Sequence, residues 1–217
     1  MKTKYCGIGS KEELQVVANA GCAYIGFVFA ASKRRVELSD VISWLHSVEY
    51  NQEIVALVVH PTLEDVKALY EAKVFSILQL HGNETVEDVK ELRAHFPALK
   101  IWKAVHVDEE ANKKLHAFAP HVDALLLDTK TSHAWGGTGK TFEWRKIPGF
   151  IDVLSPYKKP LLIAGGINRT NVQALLQYDV YGLDLSSGIE RNGKKDQHAI
   201  EELEEVMEQY ENRRLPY

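Results

Sequence analysis

Short runs of apolar and β-branched residues alternate along this chain with segments whose apolar positions recur at helical spacing. This alternation is typical of βαβ units and of a parallel sheet. We predict eight strands, near Lys2–Cys6, Tyr24–Phe29, Ile54–Val59, Ser76–Leu80, Lys100–Val105, Ala124–Asp128, Leu161–Ala164 and Gly182–Leu185. Eight such units predict an α/β fold, a single (β/α)8 TIM barrel domain over residues 1–217.

The segments between the predicted strands carry helix signals. Two pairs have the spacing of N-terminal caps, Ser10 with Glu13 and Thr62 with Asp65. The sixth crossover is the least regular, because Pro148 and Gly149 fall inside any helix drawn there. A long helix with an acidic outer face is predicted from about Asp196 to Asn212.

Composition and charge restrict the possible partners. The chain has 217 residues, of which 26% are charged, and its formal net charge is −4, so we expect no nucleic-acid partner. No apolar stretch approaches the roughly 20 residues that span a bilayer, and the segment MKTKYCG lacks the apolar core of a signal peptide. We therefore expect no membrane partner and a cytoplasmic protein. Two cysteines, Cys6 and Cys22, support neither a disulfide framework nor a cysteine-rich zinc site, and we expect no metal.

The last two predicted strands end abruptly in glycine and serine, in the runs LLIAGGIN (161–168) and YGLDLSSG (181–188). In TIM barrels, the loops after strands seven and eight recurrently bind phosphate through backbone N–H groups. The pair of runs predicts a phosphorylated small-molecule substrate. The alternative is two tight turns without a ligand, since glycine is common wherever φ must be positive.

Cys6 lies at the carboxyl end of the first predicted strand, where TIM barrels place their chemistry. A free cysteine often packs as a small buried hydrophobe. Lys4, however, lies two positions earlier on the same strand face, and its ammonium would favour a thiolate. Cys6 is therefore a candidate functional cysteine, partly ionised, whereas Cys22 at a helix-to-strand turn is expected to pack.

Asp128 ends the run LLLDT, where an ionised carboxylate must be solvated, paired or held protonated. It either caps a turn or acts, with a raised pKa, as a general acid. With Cys6 on a distant strand, Asp128 would allow proton transfer at two different atoms of one substrate. His81 lies at the end of the fourth strand, where a single histidine more often has a structural role than a catalytic one.

The segment AWGGTGKT (134–141) nearly matches the nucleotide-binding P-loop pattern, with Ala134 in place of the first glycine. A P-loop follows its strand directly and opens a regular helix. Here several residues separate Asp128 from Gly136, and Pro148 interrupts the following segment. The pattern therefore favours a glycine-rich lid over the site.

Seven motifs together resemble those of phosphoribosylanthranilate isomerases of tryptophan biosynthesis, in the same order and approximate spacing: KYCGI, GFVF followed by SKRRV, LQLHG, LLLDT, GGTGKTFEW, LIAGGIN and DLSSGIE. The resemblance spans essentially the whole chain. It implies a (β/α)8 barrel that catalyses the Amadori rearrangement of N-(5-phosphoribosyl)anthranilate without a cofactor. A monomer or a homodimer is expected.

The resemblance also implies roles for individual residues. It makes Cys6 the general base, Asp128 the general acid and Arg34 the group that holds the anthranilate carboxylate. Arg34 suits that role because its planar guanidinium matches a carboxylate, whereas Arg35 is expected to be solvated. The implied substrate-binding residues are Arg34, Gly165, Gly166, Asp184, Ser186, Ser187 and Gly188.

The chain departs from the usual family pattern in three segments. Gly9 and Ser10 follow CGI where threonine is usual, Lys33 replaces proline, and His60 replaces asparagine.

The sequence leaves three other functions open: a pentose-phosphate epimerase, a bifunctional histidine and tryptophan isomerase, and a non-catalytic protein that binds phosphoribosyl ligands.

Overall fold

The computed structural model describes residues 1–129 and 141–214. Eight parallel strands close into a barrel, in which each strand is hydrogen-bonded to its neighbours in the chain and the eighth pairs with the first. The strands are β1 (Lys2–Cys6), β2 (Tyr24–Val28), β3 (Glu53–Val58), β4 (Ile77–Leu80), β5 (Lys100–Val107), β6 (Ala124–Thr129), β7 (Leu161–Ile163) and β8 (Gly182–Leu185). The predicted fold class is confirmed, and each predicted strand end lies within two residues of the observed one.

Within residues 1–129 and 141–214, seven α-helices accompany the strands: α1 (Lys11–Ala18), α2 (Leu38–Ser47), α3 (Leu63–Glu71), α4 (Val86–His95), α5 (Ala111–Phe118), α6 (Ile147–Leu154) and α7 (Gln197–Arg214). A short antiparallel ribbon, β9 (Glu190–Arg191) with β10 (Lys194–Lys195), lies between β8 and α7. The crossover from β7 to β8, all of whose residues are described, contains a 3-10 turn at Val172–Ala174 in place of an α-helix.

The helix starts follow from local chemistry. Thr62 and Asp65 form a complete capping box, because each side chain accepts a hydrogen bond from the other's backbone N–H. Ser10 caps α1 by accepting from the N–H of Glu13. Pro148 lies in the first turn of α6. Backbone N–H groups of a first turn make no hydrogen bond within the helix, so the proline costs none, and the irregular sixth crossover still forms a helix.

Side chains of paired residues on neighbouring parallel strands point to the same face. Apolar residues fill the lower barrel interior: Tyr24, Val55, Ile77, Trp102, Ala104, Ala124, Leu126 and Leu162. Toward the carboxyl ends of the strands the inward positions become polar, and the register places His106 beside Asp128 and Lys4 beside Asp184. We call this end of the barrel the mouth.

An ion pair outside the barrel wall fixes the loop between β4 and α4. The ammonium of Lys103 lies 2.9 Å from Glu84 Oε2 and donates to the carbonyl of Gly82 at 2.7 Å, and both charged side chains are only 3% exposed. Glu84 Oε1 accepts from the backbone N–H groups of His60 and Gly82. The pair therefore holds the chain directly after His81 in place.

Replacing Glu84 with alanine should destabilise the protein strongly. The substitution leaves the ammonium of Lys103 buried without its counter-charge, which costs about 3–5 kcal/mol in the free energy of unfolding. Urea denaturation followed by circular dichroism measures the loss. Glu110→Ala, which breaks an exposed pair with Lys113, is the matched control and should change stability little. Equal urea concentrations at the unfolding midpoint for the Glu84→Ala variant and the unmodified protein would contradict this role of the ion pair.

Candidate active site

Cys6 lies at the carboxyl end of β1 with its side chain turned into the mouth. It is only 6% exposed. Lys4, two residues earlier on the same face, is completely buried, and its ammonium lies 2.9 Å from Asp184 Oδ1 and within hydrogen-bonding reach of the Cys6 thiol. Strands β1 and β8 thus bring a thiol, an ammonium and a carboxylate close together.

The protonation state of Cys6 differs from the expectation. Burial raises the pKa of the Cys6 thiol, and the positive charges of Lys4 and Lys195 oppose that shift without overcoming it. The partly ionised Cys6 expected from the neighbouring Lys4 is therefore corrected, because desolvation outweighs the ammonium. The thiol form prevails in this structure.

Asp128 is buried at the end of β6 and accepts two hydrogen bonds. Its Oδ2 lies 3.1 Å from His81 Nε2, and its Oδ1 accepts from the N–H of Thr129 at 2.7 Å. Burial acts to raise the pKa of Asp128, but the bond and charge of His81 and the N–H of Thr129 outweigh it, so this pKa lies below its ordinary value. The raised pKa expected for a protonated Asp128 is wrong for this structure, whose contacts favour the carboxylate.

His81 belongs to the site, although the sequence favoured a structural role for it. Its Nδ1 lies 3.1 Å from the amide nitrogen of Gln79, which donates to it, so that Nε2–H donates to Asp128. A glutamine amide rotated by 180° would present its oxygen to Nδ1–H instead.

His106 is a site residue that the sequence argument missed. Its ring lies edge-on to that of His81, with centroids 5.5 Å apart, and its strand position is paired with Asp128. Burial and the neighbouring His81 lower the pKa of His106. The signal was present in the sequence, because Trp102, Ala104 and His106 alternate along one face of β5.

Arg34 reaches the mouth from the loop after β2. Its backbone N–H donates to Ser32 Oγ at 3.0 Å, so Ser32 fixes this turn where the family usually has proline at position 33. The Nε and Nη2 atoms donate to the two carboxylate oxygens of Glu190 at 2.9 and 3.0 Å. One edge of the guanidinium, the group that the resemblance assigns to the anthranilate carboxylate, is therefore held by Glu190. Arg35 forms an exposed pair with Glu37.

The loop after β7 has the conformation that the glycine run predicted. Gly165 and Gly166 have φ values of 86° and 65°, which L side chains rarely adopt. The carbonyl of Gly166 accepts from the side-chain amides of Asn168 and Asn171, at 3.2 and 2.9 Å. Both amides therefore hold the loop in one fixed shape.

The loop after β8 lies against the first. Ser187, Gly188 and Ile189 form a 3-10 turn, and a Cβ on Gly188 would collide with the carbonyl of Ile167, so glycine permits the two loops to touch. The ammonium of Lys195 lies 3.1 Å from the Ser186 carbonyl oxygen and 3.4 Å from Ser186 Oγ.

Helix α7 is tied to both loops through one carboxylate. Arg169, after β7, and Arg191, in β9, lie 3.5 and 3.2 Å from Glu202 Oε1 on α7. The two loops expected to bind phosphate therefore share a support.

Comparison with known proteins identifies the chain. The family model of N-(5'phosphoribosyl)anthranilate (PRA) isomerase matches residues 3–206. The chain belongs to this isomerase family. It is 39% identical over 209 residues to N-(5'-phosphoribosyl)anthranilate isomerase of Bacillus velezensis, covering 96% of each chain, and 36% identical over 207 residues to that of Bacillus subtilis, covering 95% of each. The crystal structure of phosphoribosyl anthranilate isomerase from Thermus thermophilus superposes with a TM-score of 0.81 at 26% identity, covering 96% of this chain and 99% of that one.

The resemblance inferred from the sequence motifs is therefore confirmed, and with it the expected class of enzyme, an isomerase of tryptophan biosynthesis. The isomerase's glycine-rich segment 134–141, expected to form a lid, lies outside the described residues apart from Thr141. Within the described ranges, no helix is long and apolar enough to cross a membrane. Among the same residues, no group of three or more His, Cys, Asp or Glu side chains could hold a metal ion.

Proposed function

We propose that this isomerase converts N-(5-phosphoribosyl)anthranilate to 1-(2-carboxyphenylamino)-1-deoxyribulose 5-phosphate, with Asp128 as general acid and Cys6 as general base. One observation carries the assignment. The two groups lie on β6 and β1, well separated around the closed barrel, and both are at the mouth beside the glycine and serine loops. A substrate between them would offer its ring oxygen to one and its C2′ hydrogen to the other.

The acid step opens the ribose ring. A proton passes to the ring oxygen, the bond from C1′ to that oxygen breaks, and the nitrogen lone pair forms a C=N bond to C1′. The proton comes from the protonated fraction of Asp128, which the lowered pKa makes small, and His81 Nε2–H, 3.1 Å from Oδ2, orients the carboxyl group. Asp128 then transfers this proton to the ring oxygen of the substrate.

The base step removes the hydrogen from C2′ of the resulting iminium ion. The electron pair of the C–H bond forms a C1′–C2′ double bond and neutralises the nitrogen, and the enol so formed gives the ketone. Cys6 accepts this hydrogen as a thiolate, and Lys4, in contact with the sulfur, favours that ionised form. Asp184, expected as a substrate-binding residue, supports the step by holding Lys4 at 2.9 Å.

The binding groups lie around these two centres. Gly165, Gly166, Ser186, Ser187 and Gly188 form adjoining turns, and backbone N–H groups of such turns suit a phosphate dianion. Arg34 would hold the anthranilate carboxylate through its Nη1 edge, the fork that is left after Glu190 takes the Nε edge. We further propose one barrel domain over residues 1–217 that works in the cytoplasm without a cofactor, as a monomer or a homodimer.

Replacing Arg34 with alanine should raise KM much more than it lowers kcat. The variant loses a charge-assisted bidentate contact, worth about 10- to 100-fold in affinity. Steady-state kinetics with phosphoribosylanthranilate measure both constants. Arg35→Ala is the matched control, since Arg35 is exposed and paired with Glu37, and it should behave like the unmodified enzyme. An unchanged KM in Arg34→Ala would show that another cation holds the carboxylate.

Purified protein and fluorescent phosphoribosylanthranilate test the activity itself. Loss of substrate fluorescence with formation of the deoxyribulose phosphate supports the proposed function. Binding without conversion would favour a phosphoribosyl-binding protein. Activity on the corresponding histidine precursor would favour a bifunctional isomerase, and metal-dependent conversion of a pentose phosphate would favour an epimerase.

A further inference from the structure

Arg34, Glu190 and Lys195 form a buried charged cluster, here called the Glu190 cluster. Glu190 accepts from Arg34 Nε and Nη2 and, at 2.8 Å, from the ammonium of Lys195. The Glu190 side chain is 7% exposed and that of Lys195 is completely buried. Buried charges persist only where they are paired and hydrogen-bonded, so the arrangement has one defined geometry.

The Arg34 side chain packs directly against the backbone of Gly7, the residue after Cys6. Gly7 has a φ of 80°, and a Cβ on it would collide with Arg34 Cδ and lie 3.2 Å from Ser186 Oγ. The Arg34 side chain therefore lies between the end of β1, which carries Cys6, and the loop after β8, which is expected to bind phosphate. Its position matters for both ends of a bound substrate.

A guanidinium has two edges that can each hold a carboxylate. In Arg34 the Nε edge binds Glu190, and the Nη1 edge has the same fork geometry. A long, flexible side chain pays a conformational entropy cost on binding unless its rotamer is already fixed. The two hydrogen bonds that Arg34 donates to Glu190 fix that rotamer before a ligand binds.

The charges of the cluster leave it attractive to an anion. Burial acts to raise the pKa of Glu190, but the bonds from Arg34 and Lys195 outweigh it and hold this pKa below its ordinary value. Glu190 alone would cancel the charge of Arg34. Lys195 restores one net positive charge, and its bonds to Ser186 connect the cluster to the loop after β8.

We propose that Glu190 is a positioning residue, which holds Arg34 so that its Nη1 edge faces the substrate carboxylate, while Lys195 supplies the compensating charge. The proposal deepens the proposed function and rests on it. It assigns to the DLSSGIE motif a second task beyond the phosphate loop.

The opposite role for Glu190 makes the opposite prediction. If Glu190 competed with the substrate carboxylate for Arg34, removal of its charge would free the guanidinium and raise the positive charge of the site. KM would then fall. A positioning role requires KM to rise although the site becomes more positive.

Glu190→Gln and Glu190→Asp separate charge from position. Glutamine keeps the shape and removes the charge, whereas aspartate keeps the charge and withdraws it by one methylene. We expect KM for phosphoribosylanthranilate to rise at least about tenfold in both, with kcat within about threefold of the unmodified enzyme. Glu37→Gln, at the exposed partner of Arg35, is the matched control and should change neither constant. An unchanged or lower KM in both Glu190 variants would overturn the proposal.

A double variant tests whether Glu190 acts through Arg34. In the Arg34→Ala background, Glu190→Gln should add little to KM, because the group that it positions is gone. Fully multiplicative effects would overturn the proposal, since they would mean that Glu190 acts independently. Thermal melts of each variant show whether the fold is retained, and Glu190→Asp, which keeps the charge balance, gives the answer if Glu190→Gln unfolds. Failure of the unmodified enzyme to convert the substrate would instead count against the proposed function.

Discussion

Asp128→Asn should lower kcat by about 10³-fold, because general acid catalysis contributes roughly 10²- to 10⁴-fold and an amide cannot deliver the proton. The fold should survive the change. Asparagine has the same shape, and its oxygen can still accept from His81 Nε2–H, the contact that aspartate makes at 3.1 Å. Single-turnover kinetics with fluorescent substrate measure the chemical step directly.

The control for this substitution is Asp152→Asn, which makes the same chemical change at an exposed position of α6. It should leave kcat unaltered. If Asp128→Asn also turned over at a near-normal rate, another group would have to protonate the ring oxygen.

The acid assignment also predicts a pH dependence. Because the pKa of Asp128 is lowered, only a small fraction of this carboxyl group is protonated near neutral pH. The acid-catalysed rate therefore falls as the pH rises, since the protonated fraction of Asp128 decreases. In Asp128→Asn this alkaline decline should disappear from the profile of the residual activity.

Cys6→Ser should also lower kcat by about 10²- to 10⁴-fold, because a hydroxyl is a far weaker base at accessible pH than a thiolate. Burial raises the pKa of the Cys6 thiol, so the thiolate fraction, and with it the rate of hydrogen removal, increases as the pH rises toward that pKa. The serine variant should lack this rising limb. A pH series of kcat for the two proteins measures both effects.

Cys22→Ser is the matched control, since Cys22 is also buried and its thiol contacts the carbonyl of Val17 away from the mouth. It should retain normal turnover. Near-normal activity of Cys6→Ser, with the rising limb intact, would remove Cys6 from the mechanism.

The barrel could be predicted because several of its strands, such as YIGFV (24–28) and LLI (161–163), are short apolar runs that are buried throughout. Such runs are readable without knowledge of the tertiary structure. The same holds for Gly165 and Gly166, since a strand that stops in two glycines signals positive φ. The absence of an α-helix at Val172–Ala174, in the fully described β7 to β8 crossover, had no comparably clear pattern.

The protonation states could not be predicted, because they depend on opposing effects whose balance requires coordinates. Lys4 beside Cys6 was visible in the sequence, yet the depth of burial decides the sign of the shift in the thiol pKa. For Asp128 the deciding contact is His81, 47 residues away, and its direction follows only from the side-chain geometry.

Glu190 illustrates the same difficulty for positioning groups. Its motif was recognised, but its partner Arg34 is 156 residues distant in the chain. Nothing in the spacing of charged residues distinguishes this bidentate buried pair from the exposed pair of Arg35 and Glu37. Rotamers and burial make the difference, and both follow from the closure of the barrel.

The attachment of Arg169 and Arg191 to Glu202 has a consequence for how the enzyme is made. Helix α7 leaves the ribosome after both of the loops that it supports. A nascent chain that extends only through β8 lacks Glu202 and therefore both of these ion pairs. Because all three side chains are exposed, the pairs contribute little to stability, and the asparagine amides that bind the Gly166 carbonyl can shape the first loop before α7 is made.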